Sequence, residues 1–260
     1  RLLAKELKLG NESDYGPYVE YLKAQKPGLI PATWSEPGKQ WLRKILPTGS
    51  DMIDWIKLHF DKNCNDVDEA TLALTIQRCY DSNLIPISDM LNHWNGRVNT
   101  ENDPMYSHTS TGKSARASTF IRKGDELYTS YDECLDCKEE ETWWYWGTPE
   151  VLRDFGFVER YTQRWVYSEE DIWFEISEVN DRLVVNWDMR EDGYGVPEPE
   201  GIEFLEEELE RLQQVTLKEE RPADVPESEW NTILEFHEAF ATALSLGIQS
   251  AKEYHGKEEL

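Results

Sequence analysis

Basic residues are scarce: 27 Lys and Arg stand against 52 Asp and Glu in 260 residues, leaving a formal net charge of -25. Such a surface repels phosphate backbones over most of its area, so direct binding of nucleic acid is not expected. Cysteine is also scarce. Cys64, Cys79, Cys134 and Cys137 are too few and too irregularly spaced for a secreted disulfide scaffold, and a reducing intracellular compartment is expected, the cytoplasm first, with nucleus or plastid left open. Cys134 and Cys137 form a Cys-x-x-Cys half-site, but zinc requires four ligands and no second pair exists. No apolar run approaches the roughly 20 residues that span a bilayer, so no membrane partner is expected. P-loop, hydrolase-elbow and His-Glu-x-x-His motifs are absent as well. The first residue, Arg1, falls inside what reads as a helix already under way, as in a fragment or a processed product.

What is present is enough apolar sequence, 39% of residues, to build the core of one large domain or two modest ones. Pro27-Gly28 and Pro37-Gly38 punctuate short helices, the firmest over Trp41 to Leu46 and Met52 to Phe60. A helix is expected from Asp68 to Tyr80, with an acidic start and with Leu72 and Ile76 on one side. Leu84 to Ile87 reads as a short strand leading into the turn chemistry of Ser88 to His93. Ala115 to Phe120 and Glu126 to Tyr131 read as strands joined by a hairpin turn at Lys123-Gly124. Thr148 to Gly156 carries a full helix signature: Thr148 as cap, Pro149 in the first turn, Glu150 at the positive dipole end and Gly156 as left-handed stop.

Strands are expected at Trp165 to Tyr167, Ile172 to Ile176 and Leu183 to Trp187. Gly193-Tyr-Gly195 belongs to a linker. An acidic helix from about Ile202 to Leu217 and a longer one near Ser228 to Tyr254 follow, the latter with Trp230, Ile233, Leu234, His237, Phe240, Leu244, Ile248 and Ala251 at helical spacing. His237 reads as a core histidine.

Three ordered motifs carry the functional signal: Ile85 to His93 with its Asn92-His93 end, Lys123 to Tyr131, and Leu152 to Val158. In this order and spacing they resemble the SET-domain protein methyltransferases, in particular the branch of the plant Rubisco large-subunit lysine methyltransferase and the actin-histidine methyltransferase. The resemblance covers residues 15 to 190. It implies an α+β fold of small sheets closed by a pseudoknot, with residues 1–80 as an inserted helical subdomain, 81–192 as SET core and following strands, and 193–260 as an acidic helical region serving as a reduced substrate-binding lobe. The family's Gly-x-Gly strand has no counterpart ahead of the helical insertion, and Trp94 stands where the family has a small residue.

Residue by residue, the resemblance implies that Asn92 and His93 bind S-adenosylmethionine and that Arg78 lies near its carboxylate. Tyr131 matches the active-site tyrosine. Tyr80 and Phe155 fall where the family lines the channel for the target side chain, and aromatic walls suit an alkyl ammonium. The expected function is a protein-lysine N-methyltransferase whose partner is a non-histone protein with an accessible lysine. The histidine-methylating branch has Asn at the position of Tyr80, which makes histidine the lesser target. A catalytically inactive SET-like module that binds a basic partner is the alternative.

Overall fold

In the computed structural model the described residues are 1–25, 30–48, 50, 52–55, 67–80, 83–102, 115–131, 147–167, 170–187, 195–217 and 220–258. The N-terminal part is helical: α1 (Leu2–Leu9), α2 (Gly16–Ala24), α3 (Glu36–Ile45) and α4 (Glu69–Arg78). Ser35 caps α3 by accepting the Gly38 amide at 3.2 Å, and Asp68 caps α4 by accepting the Thr71 amide at 2.9 Å. The helix expected to reach Tyr80 therefore stops at Arg78, where the chain turns into the two-residue strand β1 (Cys79–Tyr80), paired antiparallel with β2 (Asn83–Leu84). The strand expected over Leu84 to Ile87 is correspondingly short. Ile87 has φ 78°, a left-handed backbone that a β-branched residue rarely adopts, and a 3-10 turn over Ser88–Met90 follows it.

The next strands are brief: β3 (Asn92–His93), β4 (Thr100–Asn102), β5 (Ala115–Ala117) and β6 (Tyr128–Thr129). The hairpin expected around Lys123-Gly124 is corrected by their pairing. Gly124 does turn the chain, with φ 96°, but β5 pairs antiparallel with β4 while β6 pairs parallel with β3, Asn92 opposite Tyr128 and His93 opposite Thr129. Helix α5 (Thr148–Phe155) ends at Gly156 as expected, at φ 81°, ψ 25°. Its start differs by one residue. Gly147 is the N-cap, its amide bonded to the Glu150 carboxylate at 2.9 Å, and the Thr148 hydroxyl turns instead to Glu159.

Among the described residues the largest sheet is the antiparallel meander β7 (Gln163–Tyr167), β8 (Ile172–Val179) and β9 (Arg182–Trp187), each strand close to its expected place. Alternate residues Trp165, Tyr167, Ile172, Phe174 and Ile176 are buried on one face. Against that face lie α6 (Pro199–Gln213) and the 32-residue α7 (Glu227–Glu258). The buried stripe of α7 includes Trp230, Ile233, Phe240, Leu244, Ile248 and Ala251 as expected, but it takes in Phe236 rather than its neighbours: Leu234 is exposed and His237 half-buried. The reason is Trp165, which stacks on Phe240 at 5.3 Å and meets Phe236 at 6.0 Å, so the helix turns its aromatic residues toward the sheet.

Helix α3 joins this core through polar clamps. Glu229 accepts the Ser35 amide at 2.9 Å and its hydroxyl at 2.6 Å, and Arg211 donates to the carbonyls of Lys44 and Leu46 at the end of α3. The architecture is α+β, with helices and small sheets largely segregated along the chain. Among the described residues no helix is long and apolar enough to cross a membrane, and no group of His, Cys, Asp or Glu could hold a metal ion. Met52 to Trp55 is described as turn and helix start, whereas Ile56 to Phe60, Cys134, Cys137 and Gly193-Tyr194 lie outside the described residues.

Candidate active site

The parallel pairing of β3 with β6 is the frame of the site. It brings Asn92 and His93 beside the segment that ends in Tyr131. Successive strand residues point to opposite faces, so His93 turns toward Tyr131 while Asn92 turns away from it. The His93 side chain is only 1% exposed. Its Nδ1 accepts the Tyr131 amide at 2.9 Å, which places the ring proton on Nε2, and Nε2 donates to Glu159 Oε2 at 2.7 Å.

Tyr131 is held at both ends. Its amide is bonded to His93, and its hydroxyl donates to the Leu91 carbonyl at 2.6 Å. Burial pushes its phenol up to about 12, with Arg78 opposing and Asp89 and Tyr21 adding to the rise. The ring lies 4.3 Å from Phe155 and 5.1 Å from His93, and Phe157 lies 6.0 Å from His93 on the same side. Tyr131, Phe155, His93 and Phe157 thus make one aromatic cluster, assembled from β3, the end of β6 and the end of α5.

Arg78 reaches the same neighbourhood from the end of α4, which packs against α5. Its Nη1 donates to the Asp89 carbonyl at 2.7 Å, and its guanidinium lies 5.8 Å from the Tyr21 ring. Asp89 takes the Tyr18 hydroxyl on Oδ2, and burial together with that bond raises the Tyr18 phenol. Its other oxygen, Oδ1, is buried and has no hydrogen-bond partner among the described residues.

Asn92 is exposed, and its amide donates to Glu126, whose carboxyl is held low first by the Tyr128 hydroxyl and then by Asn92. Trp94 shares the Asn92 face. Its indole donates to the Tyr161 carbonyl at 3.1 Å, and the guanidiniums of Arg97 and Arg160 lie over its ring at 4.3 and 4.5 Å. Tyr80 is described only in its backbone, paired with Asn83.

Of the residues expected from the sequence, His93, Tyr131 and Phe155 therefore meet directly, Arg78 acts on Tyr131 electrostatically while bonded to Asp89, and Asn92 lies on the other face of the same short strand. Glu159, Asp89 and Phe157 were not foreseen. Glu159 and Phe157 fall in or directly after the Leu152 to Val158 motif, whose spacing was the only available signal. No protein-family model, curated protein or solved structure matches the chain, so the site is interpreted from its own residues.

Proposed function

We propose that the chain is a SET-type protein-lysine N-methyltransferase that uses S-adenosylmethionine and acts on a non-histone protein. The observation that carries this reading is the parallel β3–β6 pair, which ties the Asn92-His93 dipeptide to Tyr131 and sets that tyrosine against Phe155. The residues present fit the cofactor. Arg78 offers a guanidinium of which only Nη1 is hydrogen-bonded among the described residues, Asp89 Oδ1 is a buried acceptor without a partner among them, and Asn92 offers, from the other face of β3, an exposed amide shared with Glu126. An amino-acid moiety with an ammonium and a carboxylate supplies complements to such groups. When bound, S-adenosylmethionine supplies an electrophilic methyl group on a sulfonium.

The chain's own work is alignment and electrostatics, since an in-line displacement needs no protein nucleophile. Tyr131 stays protonated near neutral pH and acts as a fixed dipole rather than as a base. Its ring packs directly on that of Phe155, and the pair offers one aromatic surface for an alkyl amine stem, since aromatic faces attract ammonium. Lysine, with an ordinary pKa of about 10.4, must lose its proton to solvent before attack, and desolvation against this aromatic surface favours the neutral amine. The net charge of -25 steers lysine-rich surfaces toward the molecule.

Calorimetric titration of S-adenosylhomocysteine into the protein tests the reading. Heat of binding, lost in Asn92→Ala and kept in Tyr131→Phe, supports it. No heat and no thermal stabilisation would leave the inactive binding module as the better reading.

A further inference from the structure

We infer that Glu159 is a positioning residue for Tyr131, acting through His93 by fixing which ring nitrogen carries the proton. The role in methyl transfer rests on the function proposed above; the tautomer does not. Glu159 is 2% exposed and lies beyond α5, just before β7. Its Oε2 accepts from His93 Nε2 at 2.7 Å and from Asn95 Nδ2 at 3.1 Å. Its Oε1 accepts from the Thr148 hydroxyl and, at 3.5 Å, from the Arg164 amide. Every one of these partners presents a hydrogen, and an ionised carboxylate is the side chain that only accepts.

The consequence runs through the imidazole. A neutral histidine carries one ring proton, and the carboxylate at Nε2 draws it there, leaving Nδ1 as an acceptor. Nδ1 is where the Tyr131 amide points. The opposite tautomer would set Nδ1–H against the Tyr131 N–H, two donors face to face in a buried place, and would withdraw the hydrogen bond that aims the tyrosine backbone. Because the Tyr131 hydroxyl is held separately by Leu91, losing the His93 contact frees one end of the residue and leaves the other tethered. A shift of this kind disturbs alignment rather than affinity, and alignment is what the displacement depends on.

Substitution separates this role from simple packing. Glu159→Gln can keep its carbonyl oxygen toward His93 and Asn95 while its amide donates to the Thr148 hydroxyl, which rotates to accept, and the Arg164 amide keeps its closer bond to that hydroxyl at 3.2 Å. Glu159→Leu fills the space and accepts nothing. Nitrogen-15 NMR of the imidazoles at pH 7, with His93 assigned among the five histidines by its loss in His93→Asn, is expected to show one His93 tautomer, protonated on Nε2. In Glu159→Leu the tautomers are expected to mix and the Tyr131 amide to exchange with solvent at least tenfold faster. Glu159→Gln is expected to restore both signals, and kcat for methyl transfer follows the same order while the affinity for S-adenosylhomocysteine changes less.

A wild-type His93 protonated on Nδ1, or an averaged ring, overturns the proposal, and that measurement needs no variant. Unchanged Tyr131 exchange in a folded Glu159→Leu also overturns it. If the NMR and exchange results hold but the protein binds no S-adenosylhomocysteine, the positioning stands and the methyltransferase reading falls.

Discussion

The sheet and helices after residue 147 and the short strands between 79 and 131 are built by different means. In the first region Trp165, Phe174, Ile176, Phe236 and Phe240 are at most 1% exposed and pack against one another. In the second, no described residue belongs to the buried apolar core, and the buried groups are polar, Thr100 and the side chain of His93. Its order comes from hydrogen bonds: the Thr100 hydroxyl to the Tyr128 carbonyl, Asn99 to the backbone at Glu126 and Tyr128, and Arg78 to Asp89. The candidate site sits in the polar region and borrows rigidity from the packed one along a seam, where His93 and Asn95 meet Glu159 and Trp94 meets Tyr161. Packing supplies stability; directional bonds supply the geometry a reaction needs.

Four perturbations should separate the two regions. The largest effect is expected in the packed one. Phe240→Ala removes the ring stacked on Trp165 and should lower global stability by about 3–5 kcal/mol in urea unfolding, with fluorescence and circular dichroism changing together. Gly96→Ala strikes the seam. An added Cβ would stand 2.6 Å from the Tyr161 carbonyl oxygen, and the strain of roughly 1–3 kcal/mol should weaken binding of S-adenosylhomocysteine by about 5- to 100-fold while the protein remains folded. Equal binding by Gly96→Ala and wild type would separate the site from the seam.

Tyr131→Phe leaves the Leu91 carbonyl without its donor and should lower stability by about 1 kcal/mol near neutral pH. Its pH dependence is the sharper test. The phenol titrates near 10 when unfolded and near 12 when folded, so its contribution is complete below pH 10 and is withdrawn as the pH rises toward 12. The gap in stability between wild type and Tyr131→Phe should therefore narrow over that interval. The smallest effect is expected at Glu208, which joins α6 to Thr48 beyond α3. Burial opposes its ionisation, but bonds from Arg211 and Thr48 outweigh burial and hold its carboxyl below the ordinary 4.5. Its stabilisation is complete above pH 4.5 and fades as the pH falls below it, a slope that Glu208→Gln should flatten in acid denaturation.

The packed region was largely legible in the sequence. β-Branched and aromatic residues marked β7 to β9, and Gly156 marked the end of α5, because both signals are local. The facing of α7 was harder, since Phe236 and His237 are one residue apart and only the position of Trp165 decides between them. In the polar region Lys123-Gly124 correctly marked a turn, yet a turn does not choose its strands' partners, and β6 pairs with β3 across the chain. Asn92, His93, Tyr131 and Phe155 were named from the resemblance to the SET-domain methyltransferases. Glu159 was not, because its meaning lies in donors contributed by residues as far apart as His93 and Arg164.

The most direct test of the site is amide hydrogen exchange over the whole chain with and without saturating S-adenosylhomocysteine. The expected result is slowed exchange confined to residues 91–95 and 127–131, with 172–179 and 233–248 unchanged, the ligand ordering the polar region against an already rigid core. Unchanged exchange in both short segments, or slowing spread evenly across the packed region, would contradict the assignment of the site.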